Sequence, residues 1–146
     1  MKISFDLDDT IIPGVKQFDT QNKNLIQKSF RVELIRKDSI KLIKELRDKK
    51  HKVGIYTTSL RSTRNIRFMF FLYGTPLDFI VNHQKHVKKL QRSSITSSKH
   101  PPSFGIDFHI DDSKGVEMEG EKYNFRTVII EETDDDWVDT VLNAIK

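Results

Sequence analysis

The chain contains no cysteine, only four prolines and six glycines, and no long apolar run. Without cysteine it can build neither a disulfide framework nor a thiolate metal site, and the composition fits a reducing compartment. No apolar stretch approaches the roughly 18 residues of a membrane span, and the first residues show no basic region leading into an apolar segment with a cleavage site. The expectation is a soluble, cytoplasmic protein that does not enter a membrane. No glycine-rich phosphate loop of the Walker type occurs, and there is neither an internal repeat nor a low-complexity segment. Charge, by contrast, is abundant: charged residues make up 32% of the 146 positions, with a net charge of +4. Such a mildly basic, well-solvated surface suits an anionic substrate but falls short of a nucleic-acid-binding face, so nucleic acid is expected only as a substrate. The length suits one compact domain, residues 1–146, large enough to bury a core without covalent staples.

Short β-like apolar runs alternate with stretches of helical period, the pattern of βα units around a mainly parallel sheet. Strands are expected near residues 2–6, 52–57, 78–82, 107–111 and 126–131. Ile40, Leu42, Ile43 and Leu46 mark a helix over about 39–50, with Asp38 or Ser39 as its N-cap and lysines on the far face. Ile66, Met69, Phe70 and Tyr73 mark a second, stopped by Gly74 and Pro76, and the aromatic stripe Phe68, Phe70, Phe71 reads as core. Arg61, Arg64 and Arg67 read as its solvated face. Thr133 followed by Asp134, Asp135 and Asp136 reads as the cap and acidic first turn of a C-terminal helix that buries Trp137, Val138, Val141, Leu142 and Ile145. The fold class expected is a three-layer α/β/α sandwich with a Rossmann-like sheet.

Acids at strand ends carry the functional signal. The first strand runs into Asp6-Leu7-Asp8-Asp9-Thr10, and like charges this close disfavour joint ionisation unless something compensates them. A divalent cation is the simplest compensation. A second strand, Val53-Gly54-Ile55-Tyr56, ends in Thr57, and a fourth, Phe108-His109-Ile110, ends in Asp111-Asp112. Lysines lie between them. Ligands of parallel sheets bind outside the carboxyl ends of the strands, where all these residues fall.

The Asp-x-Asp-x-Thr pattern, the Thr-ended strand, an intervening lysine and the final acidic pair, in that order, resemble the haloacid dehalogenase-like (HAD) phosphohydrolases, over residues 6–112. The resemblance implies a Mg²⁺-dependent phosphomonoester hydrolase in which Asp6 is the nucleophile, forming an aspartyl phosphate, and Asp8 the proton donor and later acceptor. Thr57 would hold a phosphate oxygen, with Thr58 and Ser59 as alternatives. Lys99 would balance the charge shared by Asp6 and the phosphate, with Lys85 as the other candidate. Mg²⁺ would be held by Asp6, the Asp8 carbonyl, and Asp111 and Asp112, with Asp111 the more direct ligand and Asp112 acting through water, or the two exchanged. Asp9 and Thr10 would serve the loop. The segment Ile11–Lys37 has room for a small flap but not for a helical cap domain, which implies a capless member with an open site. The substrate implied is a phosphorylated metabolite or a macromolecular phosphate, and oligomeric state is left open. A domain that binds phosphate or a partner without turnover is the alternative, and transfer to an acceptor other than water uses the same residues. The histidines lack tight metal-ligand spacing and read as loop or packing residues.

Overall fold

The computed structural model describes residues 1–146 and holds a five-stranded, all-parallel sheet with helices on both faces. The strands are β1 (Lys2–Phe5), β2 (Lys52–Tyr56), β3 (Phe79–Val81), β4 (Phe108–Asp111) and β5 (Arg126–Ile129), in the order β3-β2-β1-β4-β5. The helices are α1 (Leu25–Ser29), α2 (Ser39–Asp48), α3 (Thr63–Leu72), α4 (His83–Leu90), α5 (Lys114–Tyr123) and α6 (Trp137–Ile145), with a short 3₁₀ turn at Pro101–Phe104. This is the three-layer α/β Rossmann-like architecture. No helix is long and apolar enough to cross a membrane.

Alternation along the strands divides the core. Ile3 and Phe5 of β1, Val53 and Ile55 of β2, and Phe108 and Ile110 of β4 join one apolar cluster with Leu42, Ile43 and Leu46 of α2, Ile66 and Phe70 of α3, and Trp137 and Val141 of α6. The opposite face carries Ser4, Gly54, Tyr56 and His109. It is covered by α4, whose His86 meets Tyr56, and by α5, whose Gly120 packs on Thr127 beside His109. Gly54 has no substitute there: a Cβ would come within 2.3 Å of the Phe79 carbonyl oxygen on β3.

Local chemistry sets the helix ends. Ser62 accepts from the Asn65 amide to start α3, Asn82 from the Lys85 amide to start α4, and Ser113 from the Gly115 amide to start α5. Gly74, at φ +72°, closes the turn after α3. Asp38 is the N-cap position of α2, but it is left-handed and makes no capping bond; the Ser39 hydroxyl donates instead to the Arg36 carbonyl.

Two expectations are corrected. The C-terminal helix begins at Trp137 with Asp136 as its cap residue, so Thr133 does not cap it. Asp134 lies in the preceding turn, where its carboxylate accepts from the Thr140 hydroxyl and its carbonyl from Arg36, and these bonds hold the turn outside the helix. The aromatic stripe of α3 also divides. Phe70 is buried, but Phe68 and Phe71 are 45% and 64% exposed, because Ile66, Met69 and Phe70 fill the arc that faces the sheet. Helices α1, α4 and α5 are additions to the elements read from sequence.

Candidate active site

The order β3-β2-β1-β4-β5 reverses direction between β1 and β4, and such a switch point opens a crevice at the carboxyl edge of a parallel sheet. Asp6 follows β1 and Asp111 ends β4 on either side of it, while Thr57 follows β2. The backbone fixes all three. Asp6 N–H donates to Ile110 O at 2.8 Å, Thr57 N–H to Val81 O at 2.9 Å, and Ile130 N–H to Asp111 O at 2.9 Å, each extending a ladder by one residue.

Carboxylate oxygens of Asp6, Asp111 and Asp112 all lie within 4.8 Å of one another. Lys99 reaches them from the loop before the 3₁₀ turn: its ammonium is hydrogen-bonded to Asp6 Oδ1, donates to the Tyr56 carbonyl at 3.0 Å, and stands 3.4 Å from Asp111 Oδ2. The side chain is 5% exposed. Lys85, the other candidate, is committed to the Ile80 carbonyl at 2.8 Å and does not meet the acids. Lys85 sits in the first turn of α4, which follows β3 after Asn82, and its side chain turns back to the middle residue of that strand.

Burial raises Asp6 to about 7, against the lowering pull of Lys99 and with the Asp111 charge adding to the rise. Asp111 goes the other way. Burial works to raise it, but the His109 hydrogen bond, the Lys99 charge and backbone N–H donors outweigh that and hold its carboxyl well below the usual range. Lys99 is raised: burial opposes its charge, and the two carboxylates overcome that. The three buried groups therefore carry one firm negative charge on Asp111, one positive charge on Lys99 and, in Asp6, a carboxyl that ionises late. Carboxylate oxygens of two buried acids and one half-buried acid converging on one point are hard donors of the kind a small divalent cation takes.

The other acids face flap and loop cations. Asp112 accepts from Lys16 Nζ at 2.8 Å and from the Thr10 hydroxyl at 3.2 Å, so Thr10 ties its turn to the acid after β4. Asp8 is gripped through both oxygens by Arg61 Nη1, at 2.7 and 2.9 Å. Arg61 holds Glu33 with its remaining nitrogens, at 3.0 and 2.7 Å. This overturns the reading of Arg61 as part of a solvated helical stripe. It precedes α3, in the loop after Thr57, and Asn82 fixes its backbone by donating to the Arg61 carbonyl. Asp9 serves the loop as expected: at φ +62° it accepts from the Lys16 amide at 2.8 Å. A Cβ at Gly14 would come within 2.8 Å of that same carboxylate oxygen. Thr57 is buried and its hydroxyl accepts from the Ser59 amide at 3.1 Å, leaving its own proton to donate.

Sequence reasoning missed the support beneath the acids. His109 is fully buried; its Nδ1 pairs with the Ser4 hydroxyl at 2.7 Å and its Nε2 with Asp111 Oδ2 at 3.0 Å. Burial lowers its pKa, which favours the neutral ring with Nε2–H donating to Asp111. Tyr56 carries the lysine loop: its hydroxyl accepts from the His100 amide at 2.9 Å and pairs with His86 Nδ1 at 2.7 Å. Strand alternation was the available signal, since residues two apart share a face and His109 must lie beneath Asp111.

Compared with protein-family models, curated proteins and solved structures, the chain matches none.

Proposed function

We propose that the chain is a capless HAD-like, Mg²⁺-dependent phosphomonoester hydrolase. The observation that carries this reading is the Lys99 ammonium set between Asp6 and Asp111, within a cluster of carboxylate oxygens at the switch point of a parallel sheet. An ordinary ion pair does not need two strand-end carboxylates and a third acid beside them.

Asp6 has one oxygen on Lys99, and its other oxygen attacks phosphorus, forming an acyl phosphate as the ester P–O bond breaks. Asp8 gives its proton to the departing alkoxide. Both Asp8 oxygens are engaged by Arg61, so Asp8 acts once Arg61 has released one of them, and a bound phosphate offers the guanidinium another acceptor. Water then attacks the acyl phosphate, Asp8 takes the water proton, and inorganic phosphate leaves with the Asp6 carboxylate restored. Lys99 and the Thr57 hydroxyl hold the phosphoryl oxygens, and the positive charge of Lys99 stabilises the growing negative charge. Asp6, Asp111 and Asp112 would hold Mg²⁺, which supplies charge neutralisation for the phosphate when bound.

The test is phosphate release from p-nitrophenyl phosphate by the purified protein. The reading expects turnover that stops on chelation, returns with Mg²⁺ and is absent in Asp6→Asn. Binding of phosphate without any release would favour the non-catalytic alternative.

A further inference from the structure

A pocket of about 230 Å³ lies between the segment after α1 and the outer face of α3, and Arg61 in its lining joins it to Asp8. Phe30 and Phe68 form two of its walls, Ile66 lies at its base, and Asn65, Glu33 and Arg61 supply polar groups. Resting on the phosphomonoesterase reading, we propose that this pocket is the leaving-group subsite and takes a planar aromatic ring system carried by the alcohol of the substrate.

Continuity with the acids comes first. Arg61 grips Asp8 with one nitrogen and Glu33 with the other two, and both Arg61 and Glu33 line the pocket. The alcohol departs on the side of the group that protonates it, so an ester crossing the Arg61–Asp8 pair delivers its organic part here. Size is the second argument. Pockets that enclose a whole ligand occupy roughly 300–1,000 Å³, so this one has room for one ring system rather than for an oligosaccharide or peptide.

Chemistry is the third. Phe30 and Phe68 are 60% and 45% exposed, with ring centroids 5.5 Å apart at 81°, an edge-to-face pair that leaves a ring face free to stack on a third ring. The Asn65 side chain makes no hydrogen bond within the chain and is exposed, so its amide can both donate and accept at the edge of a heteroaromatic ring. Phe71 does not line the pocket; it lines a neighbouring surface that shares Phe68 but not Phe30, so Phe30 is specific to the pocket and Phe71 to its neighbour.

A nucleobase and a phenol ring share this chemistry, and kinetics can distinguish them. The experiment measures kcat/KM for adenosine monophosphate, phosphotyrosine, glucose 6-phosphate and glycerol 3-phosphate in the wild type and in Phe68→Ala, Phe30→Ala and Phe71→Ala. The aromatic esters should exceed the two that carry no aromatic ring. That ratio should fall about tenfold, mainly through KM, in Phe68→Ala and Phe30→Ala, as expected for a lost base–aromatic stack, and should be unchanged in Phe71→Ala. A preference for the nucleotide assigns the subsite to a nucleobase, and one for phosphotyrosine assigns it to a phenol ring. Equal rates on all four esters, a preference for glucose 6-phosphate, or an unaltered ratio in Phe68→Ala would overturn the proposal. Calorimetric titration with adenosine and with tyrosine, neither carrying phosphate, separates it from the reading beneath it. Ring binding that Phe68→Ala weakens, in a protein that releases no phosphate, keeps the subsite and removes the phosphatase. Turnover without ring preference does the reverse.

Discussion

The two faces of the sheet are built from the same strands and do opposite work. Toward α2, α3 and α6 the strands present Ile3, Phe5, Val53, Ile55, Phe108 and Ile110, all buried in a continuous apolar cluster with no polar atom to satisfy. Toward α4 and α5 they present Ser4, Tyr56 and His109, each engaged in a hydrogen bond that leads to Asp111 or Lys99. One face stabilises by removing apolar area from water; the other spends burial on orienting charge. Damage to the first should therefore appear in stability, and damage to the second in turnover.

The largest effect falls on Asp6. Asp6→Asn keeps the shape and removes the proposed nucleophile, so turnover should vanish while circular dichroism and cooperative melting persist; near wild-type activity would remove covalent catalysis from the account. Lys99→Ala should lower kcat/KM by about 10²–10³-fold, the typical loss of a group aimed at transition-state charge. Lys85→Ala, which frees only the Ile80 carbonyl, should change it little.

On the apolar face, Ile55→Ala should cost about 2–5 kcal/mol of unfolding free energy in denaturant titration, with kcat retained where the protein is folded. A large fall in kcat there would blur the division between the faces. His109→Leu sharpens it from the other side. It leaves Asp111 without its ring donor and should raise the Mg²⁺ concentration for half-maximal activity by about 10–100-fold.

The smallest effect is on the pH dependence of stability without metal. The Asp6 carboxyl is raised from 3.8 to about 7 on folding, so its contribution is present below 3.8 and is lost as pH rises toward about 7. Asp111, lowered on folding, has the opposite sign: its contribution is present above 3.8 and fades in stronger acid. The melting temperature of chelated protein should decline from about pH 4 to pH 7, and Mg²⁺ should restore it at the upper end. Asp6→Asn should flatten the decline, and an equally steep decline in that variant would place the titration elsewhere.

Features that depend on pattern along the chain were legible in the sequence. Parallel strands, the apolar faces of α2, α3 and α6, and the carboxyl-edge placement of Asp6, Thr57 and Asp111 follow from periodicity and from strands ending in polar residues. Lys99 was favoured over Lys85, and it is Lys99 that meets Asp6. What escaped depends on partners distant in sequence. Arg61 had the same spacing as a solvated stripe, and only the fold brings Asp8, 53 positions away, to its guanidinium. His109 looked like packing because its partner Ser4 is 105 positions off. Helices α4 and α5 escaped because each buries only one large apolar side chain, Leu90 or Val116, and His86 or Gly120 completes the buried face.

The central claim is a covalent phosphoryl group on Asp6. Wild-type protein mixed with Mg²⁺ and a turnover substrate, quenched in acid during the steady state, reduced with borohydride at the acyl phosphate and digested, gives peptides for tandem mass spectrometry. The account predicts homoserine at position 6, the reduction product of an aspartyl phosphate, and none in Asp6→Asn. Homoserine at another aspartate, or turnover with position 6 unlabelled under conditions that trap an acyl phosphate, would contradict it.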